Sequence, residues 1–87
     1  MMYKVFIADD SVLVRKELVL TTPWESLNCS VVGQAGNAQT AMKLIMELKP
    51  DIVITDIKMG QMSGLDLIRE LKAQNITAEF IIISGYS

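Results

Sequence analysis

Asp56 closes the apolar run Ile52, Val53, Ile54, Thr55, and Asp9 and Asp10 close another, Val5, Phe6, Ile7, Ala8. If both runs are parallel strands, the three carboxylates share one sheet edge, the carboxyl-end crevice where open α/β sheets bind ligands. Two carboxylates about 4 Å apart repel by roughly 4 kcal/mol at an effective dielectric near 20, and three make three such pairs. Either protons are retained with raised pKa values or a divalent metal holds the group together, and the metal is the favoured reading. A carboxylate can also accept a phosphoryl group as an acyl phosphate when a metal neutralises the incoming oxygens, which makes Asp56 the candidate nucleophile. Ser84 follows the run Phe80–Ile83 as Asp56 follows its own, so a hydroxyl reaches the same crevice, and Gly85 leaves room there for an anion. Capping of strand and helix ends accounts for any one of these residues, but less well for four at equivalent positions.

The elements that must carry these groups are legible in the pattern. Lys4 to Ala8 reads as a buried strand, with Asp10 or Ser11 capping a helix that ends near Thr21 to Pro23. Val14 and Leu18 share one face of it, and Arg15, Lys16 and Glu17 are expected in solvent. Trp24 to Asn28 form a connection, with Trp24 as a hydrophobic lid over the helix end, and Ser30 to Gln34 a second strand. Asn37 caps a second helix with Ala41, Leu44, Ile45 and Leu48 on one face, stopped by Pro50. Ile52 to Thr55 is a third strand, continuous in apolar character as a doubly covered strand should be. After a loop from Asp56 to Ser63, a third helix from Gly64 to about Gln74 places Leu65, Ile68 and Leu71 together, and Phe80 to Ile83 is the fourth strand. Met42, Met46, Met59 and Met62 read as packing residues. The order βαβαβαβ implies an α/β fold with a parallel sheet wound by right-handed crossovers.

Composition removes several function classes. The chain has 87 residues, 51% hydrophobic and 21% charged, with a net charge of -2, which fits one small domain and no second one. With no histidine and a single cysteine, Cys29, neither the usual zinc sites nor an internal disulfide can form, and Cys29 reads as a small buried apolar residue. No lysine or arginine cluster supports nucleic-acid binding by this segment. Gly33-Gln34-Ala35-Gly36 lacks the Lys-Ser or Lys-Thr of a phosphate-binding loop. No apolar run reaches the length of a signal peptide core or a membrane span, so a cytoplasmic location without membrane contact is the default expectation.

Phe6-Ile7-Ala8-Asp9-Asp10-Ser11, then Val53-Ile54-Thr55-Asp56-Ile57-Lys58-Met59, then Ile81-Ile82-Ile83-Ser84-Gly85-Tyr86 resemble, in order, the signatures of a response-regulator receiver domain of two-component signalling. The resemblance runs the whole chain. Trp-Glu-Ser-Leu before the second strand is similar to receivers that precede a helix-turn-helix transcription output. The resemblance implies a flavodoxin-like, doubly wound parallel sheet, here with four strands in the order 2-1-3-4. It further implies that Asp56 is the phosphoacceptor, served by a histidine kinase or a small phosphodonor with Mg2+ as cofactor. Asp10 and Asp56 would be direct metal ligands, Asp9 one acting through water, and the Lys58 backbone carbonyl the remaining protein ligand. Ser84 resembles the switch hydroxyl, and the side chains of Lys58 and Tyr86 resemble those that screen the phosphate from water.

Two departures qualify the resemblance. Gly60 stands where receivers usually have proline four residues after the phosphoacceptor, so a more mobile loop is expected. Domains of this kind have on the order of 100 to 150 residues, so residues 1–87 are expected to be the N-terminal part of a receiver. The fourth helix, the fifth strand, the phosphate-pairing lysine and the aromatic switch residue would be missing, and phosphorylation switching impaired. Phe80 to Ile83 would then be an uncovered apolar edge prone to self-association. A dehalogenase-like phosphatase also uses an aspartyl phosphate, but wants an acid two residues after its nucleophile, where Lys58 and Val12 stand. A non-catalytic pseudo-receiver or a self-associating fragment remains the alternative.

Overall fold

The structure, a computed structural model, describes residues 1–83. Four parallel strands, β1 (Tyr3–Ala8), β2 (Cys29–Ala35), β3 (Ile52–Asp56) and β4 (Glu79–Ile83), form one sheet in the order β2-β1-β3-β4. Helices α1 (Val12–Thr21), α2 (Ala38–Leu48) and α3 (Gly64–Ala73) connect them, and a 3-10 turn spans Glu25–Leu27. The flavodoxin-like fold class that the resemblance implied, with its 2-1-3-4 strand order, is what the chain adopts.

Strand alternation sorts the core into two layers, since successive side chains point to opposite sheet faces. Phe6, Ala8, Ala35 and Val53 face α2 and α3, where they meet Ala38, Ala41, Ile45, Leu67 and Leu71. Val5, Ile7, Cys29 and Ile54 face the other way, toward Leu18, Val19 and Trp24. Each large side chain buried completely, such as Phe6, Ile45 or Leu67, contributes roughly 1.5–3 kcal/mol. Cys29 is buried, as its reading as a small apolar residue required. Trp24 closes the end of α1, its indole N–H donating to the Leu18 carbonyl at 3.1 Å.

Local chemistry sets the helix boundaries. Ser11, rather than Asp10, caps α1 by accepting from the Val14 amide at 3.2 Å. Asn37 caps α2 through the Thr40 amide at 2.8 Å, and a left-handed Lys49 ends that helix just before Pro50. Ser63 and Asp66 form a reciprocal capping box at the start of α3. The inward face of α3 differs from expectation: Gly64, Leu67 and Leu71 are buried, whereas Leu65 is exposed and Ile68 half-buried. The spacing Leu65, Ile68, Leu71 also fits a helical stripe, and the choice falls to Gly64, whose missing side chain admits the β3 backbone. Met59 is buried and Met42 and Met62 pack against the core, but Met46 lies exposed on the outer side of α2.

Gly64 packs so closely that a Cβ there would collide with the Asp56 carbonyl oxygen and stand 3.0 Å from the Thr55 hydroxyl. The Gly64 amide also donates to the Ile57 carbonyl at 2.9 Å. Gly64→Ala must therefore push α3 off the end of β3. We expect a loss of about 1–3 kcal/mol in urea unfolding, the usual range for overpacking; an unchanged midpoint would contradict this close approach.

Candidate functional site

The site is assembled by register. Val5 to Ala8 pair in step with Ile52 to Thr55, so the residues next along each strand, Asp9 and Asp56, come out at the same edge. One carboxylate oxygen from each of Asp9, Asp10 and Asp56 lies within 4.8 Å of the others. The three acids expected to converge do so.

Their surroundings differ, and so do their capacities. Asp9 is buried, Asp56 partly exposed and Asp10 exposed. The Asp9 carboxylate accepts from the Ser11 amide at 2.8 Å, while its own amide donates to the Ala35 carbonyl at 3.0 Å. Burial pushes the Asp9 carboxyl above the ordinary aspartate range; the Ser11 amide pulls it down, the charges of Asp56 and Asp10 push it further up, and Arg15 lowers it. Among the described residues, the Asp56 carboxylate accepts one weak contact, from the Lys58 amide at 3.5 Å. Its backbone carbonyl accepts from the buried Thr55 hydroxyl at 3.1 Å. A partly exposed carboxylate with a fixed main chain suits an acceptor group, whereas a buried one suits an electrostatic role.

Lys58 sits in the loop after β3 with its side chain exposed, two residues beyond Asp56. Ser84, Gly85 and Tyr86 lie outside the described residues. The last described strand residue, Ile83, is the register partner of Asp56, and the Ile57 amide donates to its carbonyl at 3.3 Å. Beside the acids a cleft of about 440 Å³ opens between the loops before α2 and α3, lined by Asp10, Gly36, Asn37, Met59, Gly60 and Gln61 among others. Gly60 has φ +67° with open space around it, a conformation closed to proline.

Arg15 departs from the solvated role that the helical pattern suggested. It is half-buried, donating through Nη1 to the Asp9 carbonyl and through Nε to the Gln34 side chain at 3.0 Å. The missed signal was its place four residues after the Ser11 cap, which turns it back over the loop bearing the acids. Thr55 and Gly64 were also missed, because their roles lie in main-chain packing that no side-chain pattern records.

The family model for the response regulator receiver domain matches residues 5–87. A curated relative, the uncharacterized transcriptional regulatory protein YesN of Bacillus subtilis, is 40% identical over 85 residues, which is 98% of this chain and 23% of the relative. Among solved structures, the REC domain of AraT, a response regulator from Geobacillus stearothermophilus, superposes with a TM-score of 0.90 at 30% identity, covering 99% of this chain and 67% of that one. A two component transcriptional regulator AraC from Clostridium phytofermentans gives 0.83 at 29% identity, covering 98% and 68%. The chain thus spans under a quarter of the length of YesN and about two thirds of these solved structures. No helix among the described residues is long and apolar enough to cross a membrane.

The raised Asp9 value has a definite sign in stability. The folded chain binds this proton more tightly than the unfolded chain, so the associated stability is present below the ordinary aspartate range and lost as pH rises through the raised value. Asp9→Asn removes that loss. Without divalent ions at neutral pH it should raise the Tm, because the buried charge and its repulsion by Asp56 and Asp10 are gone. Its advantage over the parent chain should vanish in acid. Equal Tm values at every pH would contradict the buried, repelled carboxylate.

Proposed function

Because this chain belongs to the response regulator receiver domain family, we propose that Asp56 accepts a phosphoryl group from a phosphohistidine of a partner histidine kinase, with Mg2+ as cofactor. The observation that carries this reading is the convergence of Asp9, Asp10 and Asp56 within 4.8 Å. Three hard oxygen donors in a chain without histidine suit Mg2+ rather than a softer transition metal. Asp10 and Asp56 would ligate it directly, Asp9 through water, and the Lys58 backbone carbonyl would complete the protein's share. When bound, the ion offsets the charge of the carboxylates and of the incoming phosphoryl oxygens.

The reacting groups have simple roles. An Asp56 carboxylate oxygen forms the new bond to phosphorus as the phosphorus–nitrogen bond of the donor breaks, and the departing imidazole keeps that electron pair. Asp9 and Asp10 do not react, and their charges keep Asp56 from sitting stably without a cation. The Ser84 hydroxyl turns toward the phosphoryl group, and the Lys58 and Tyr86 side chains set its lifetime by screening water. The chain is a signalling phosphoacceptor rather than an enzyme with a separate substrate.

Relatives named transcriptional regulators favour a DNA-binding output elsewhere in the parent protein, with residues 1–87 as the N-terminal part of its receiver and a cytoplasmic setting. A second reading, a self-associating module that uses no phosphate, draws on β4. Among the described residues it pairs only with β3, and Ile81 and Ile82 on it are 49% and 39% exposed.

Titrating the chain with Mg2+ and then beryllofluoride, a phosphoryl mimic, separates the two readings. Amide shifts around Asp9, Asp56 and Lys58 should saturate with both, and Asp56→Asn should abolish the beryllofluoride response. A sedimentation mass that rises with concentration, with no saturable response to either ligand, would favour the module.

A further inference from the structure

The guanidinium of Arg15 joins three parts of the chain at the acid cluster. It is carried by α1, donates through Nη1 to the Asp9 carbonyl, and donates through Nε to the Gln34 side chain near the end of β2 at 3.0 Å. Its Nη1 also lies 3.0 Å from where a Cβ of Gly36 would stand, so the loop after β2 is bare where the guanidinium passes. We propose that Arg15 is a positioning residue that locks the Asp9–Asp10 peptide, with Gln34 as its backstop, and thereby aims Asp10 at the divalent cation. This rests on the metal-dependent reading of the site given above.

The peptide between Asp9 and Asp10 has its carbonyl on Asp9, so any rotation of that peptide swings Asp10. The Asp9 amide is already held by the Ala35 carbonyl at 3.0 Å, and the Asp9 carboxylate by the Ser11 amide at 2.8 Å. With those two fixed, the carbonyl is the remaining handle on the loop, and Arg15 grips it. Asp10 is exposed, so packing does little to aim it. The planar fork of arginine can serve two acceptors in fixed relative positions, which the single ammonium of lysine cannot reproduce.

Two effects of Arg15 on a cation have opposite signs, and this makes the proposal testable. As a bare positive charge near the site, it repels Mg2+, so its removal tightens binding. As the group that orients Asp10, it favours Mg2+, so its loss weakens binding; outer groups that orient metal ligands typically matter by about 10–100-fold. Orientation is the larger effect.

The test is Mg2+ titration of the full chain, followed by amide shifts at low and high ionic strength, with urea unfolding of each variant without metal. Arg15→Lys keeps the charge and loses the fork, so the Kd for Mg2+ should rise about tenfold. The ratio to the parent chain should survive high salt, where charge effects are screened. Gln34→Leu, at an exposed position, should weaken binding in the same direction by about threefold, a fraction of that range, with its unfolding midpoint unchanged. An Arg15→Lys variant that binds like the parent chain, or tighter binding in Arg15→Met, would overturn the proposal. If Arg15→Lys does not fold, Gln34→Leu decides: weaker binding supports the bracket and parental affinity rejects it. Failure of the parent chain to bind Mg2+ at all would instead reject the metal-dependent reading itself.

Discussion

Three like charges at one sheet edge are the constraint around which this chain is built. The parallel pairing of β1 with β3 ends in acids on both strands, and no neighbouring register would bring Asp9 level with Asp56. Burial of Val5 to Ala8 and of Val53 to Thr55 on both faces makes a one-residue slip prohibitive, because it would exchange the two core layers. The apolar core therefore stabilises the strand pairing, and the pairing imposes the repulsion. A fold that holds such a cluster together carries that repulsion as a cost, which burial of the two core layers offsets.

The same ladder links Asp56 to β4. Asp56 is the register partner of Ile83, and the Ile57 amide reaches the Ile83 carbonyl. A change of charge at Asp56 thus occurs one hydrogen-bonded step from the end of β4. On the other side, Gly64 brings α3 against the Asp56 backbone, so the Asp56 main chain is held between strand and helix while its carboxylate stays partly exposed. Fixed backbone and accessible oxygen are what an acceptor for group transfer requires.

Much of this was legible in the residues because strand periodicity and end-of-strand acids are short-range signals. The four strands, the Asn37 cap and the convergence of Asp9, Asp10 and Asp56 all follow from them. What the pattern missed depended on contacts between distant segments. The stripe Leu65, Ile68, Leu71 is as helical as Gly64, Leu67, Leu71, and the decision is made by the β3 backbone that Gly64 admits. Met46 is as apolar as Met42 but points outward from α2. Arg15 looks solvated on a helical wheel, yet the loop that bears the acids folds back within its reach. Ser84, placed at the crevice by the same reasoning as Asp56, lies outside the described residues.

Paramagnetic broadening by Mn2+ tests the shared cation site most directly. At substoichiometric Mn2+, amide signals of Asp9, Asp10, Asp56 and Lys58 should vanish first, while those of Asn75 and Thr77, beyond the far end of α3, persist. Broadening that begins elsewhere, or that spares Asp9 and Asp10 while affecting Asp56, would contradict a single ion held by all three acids.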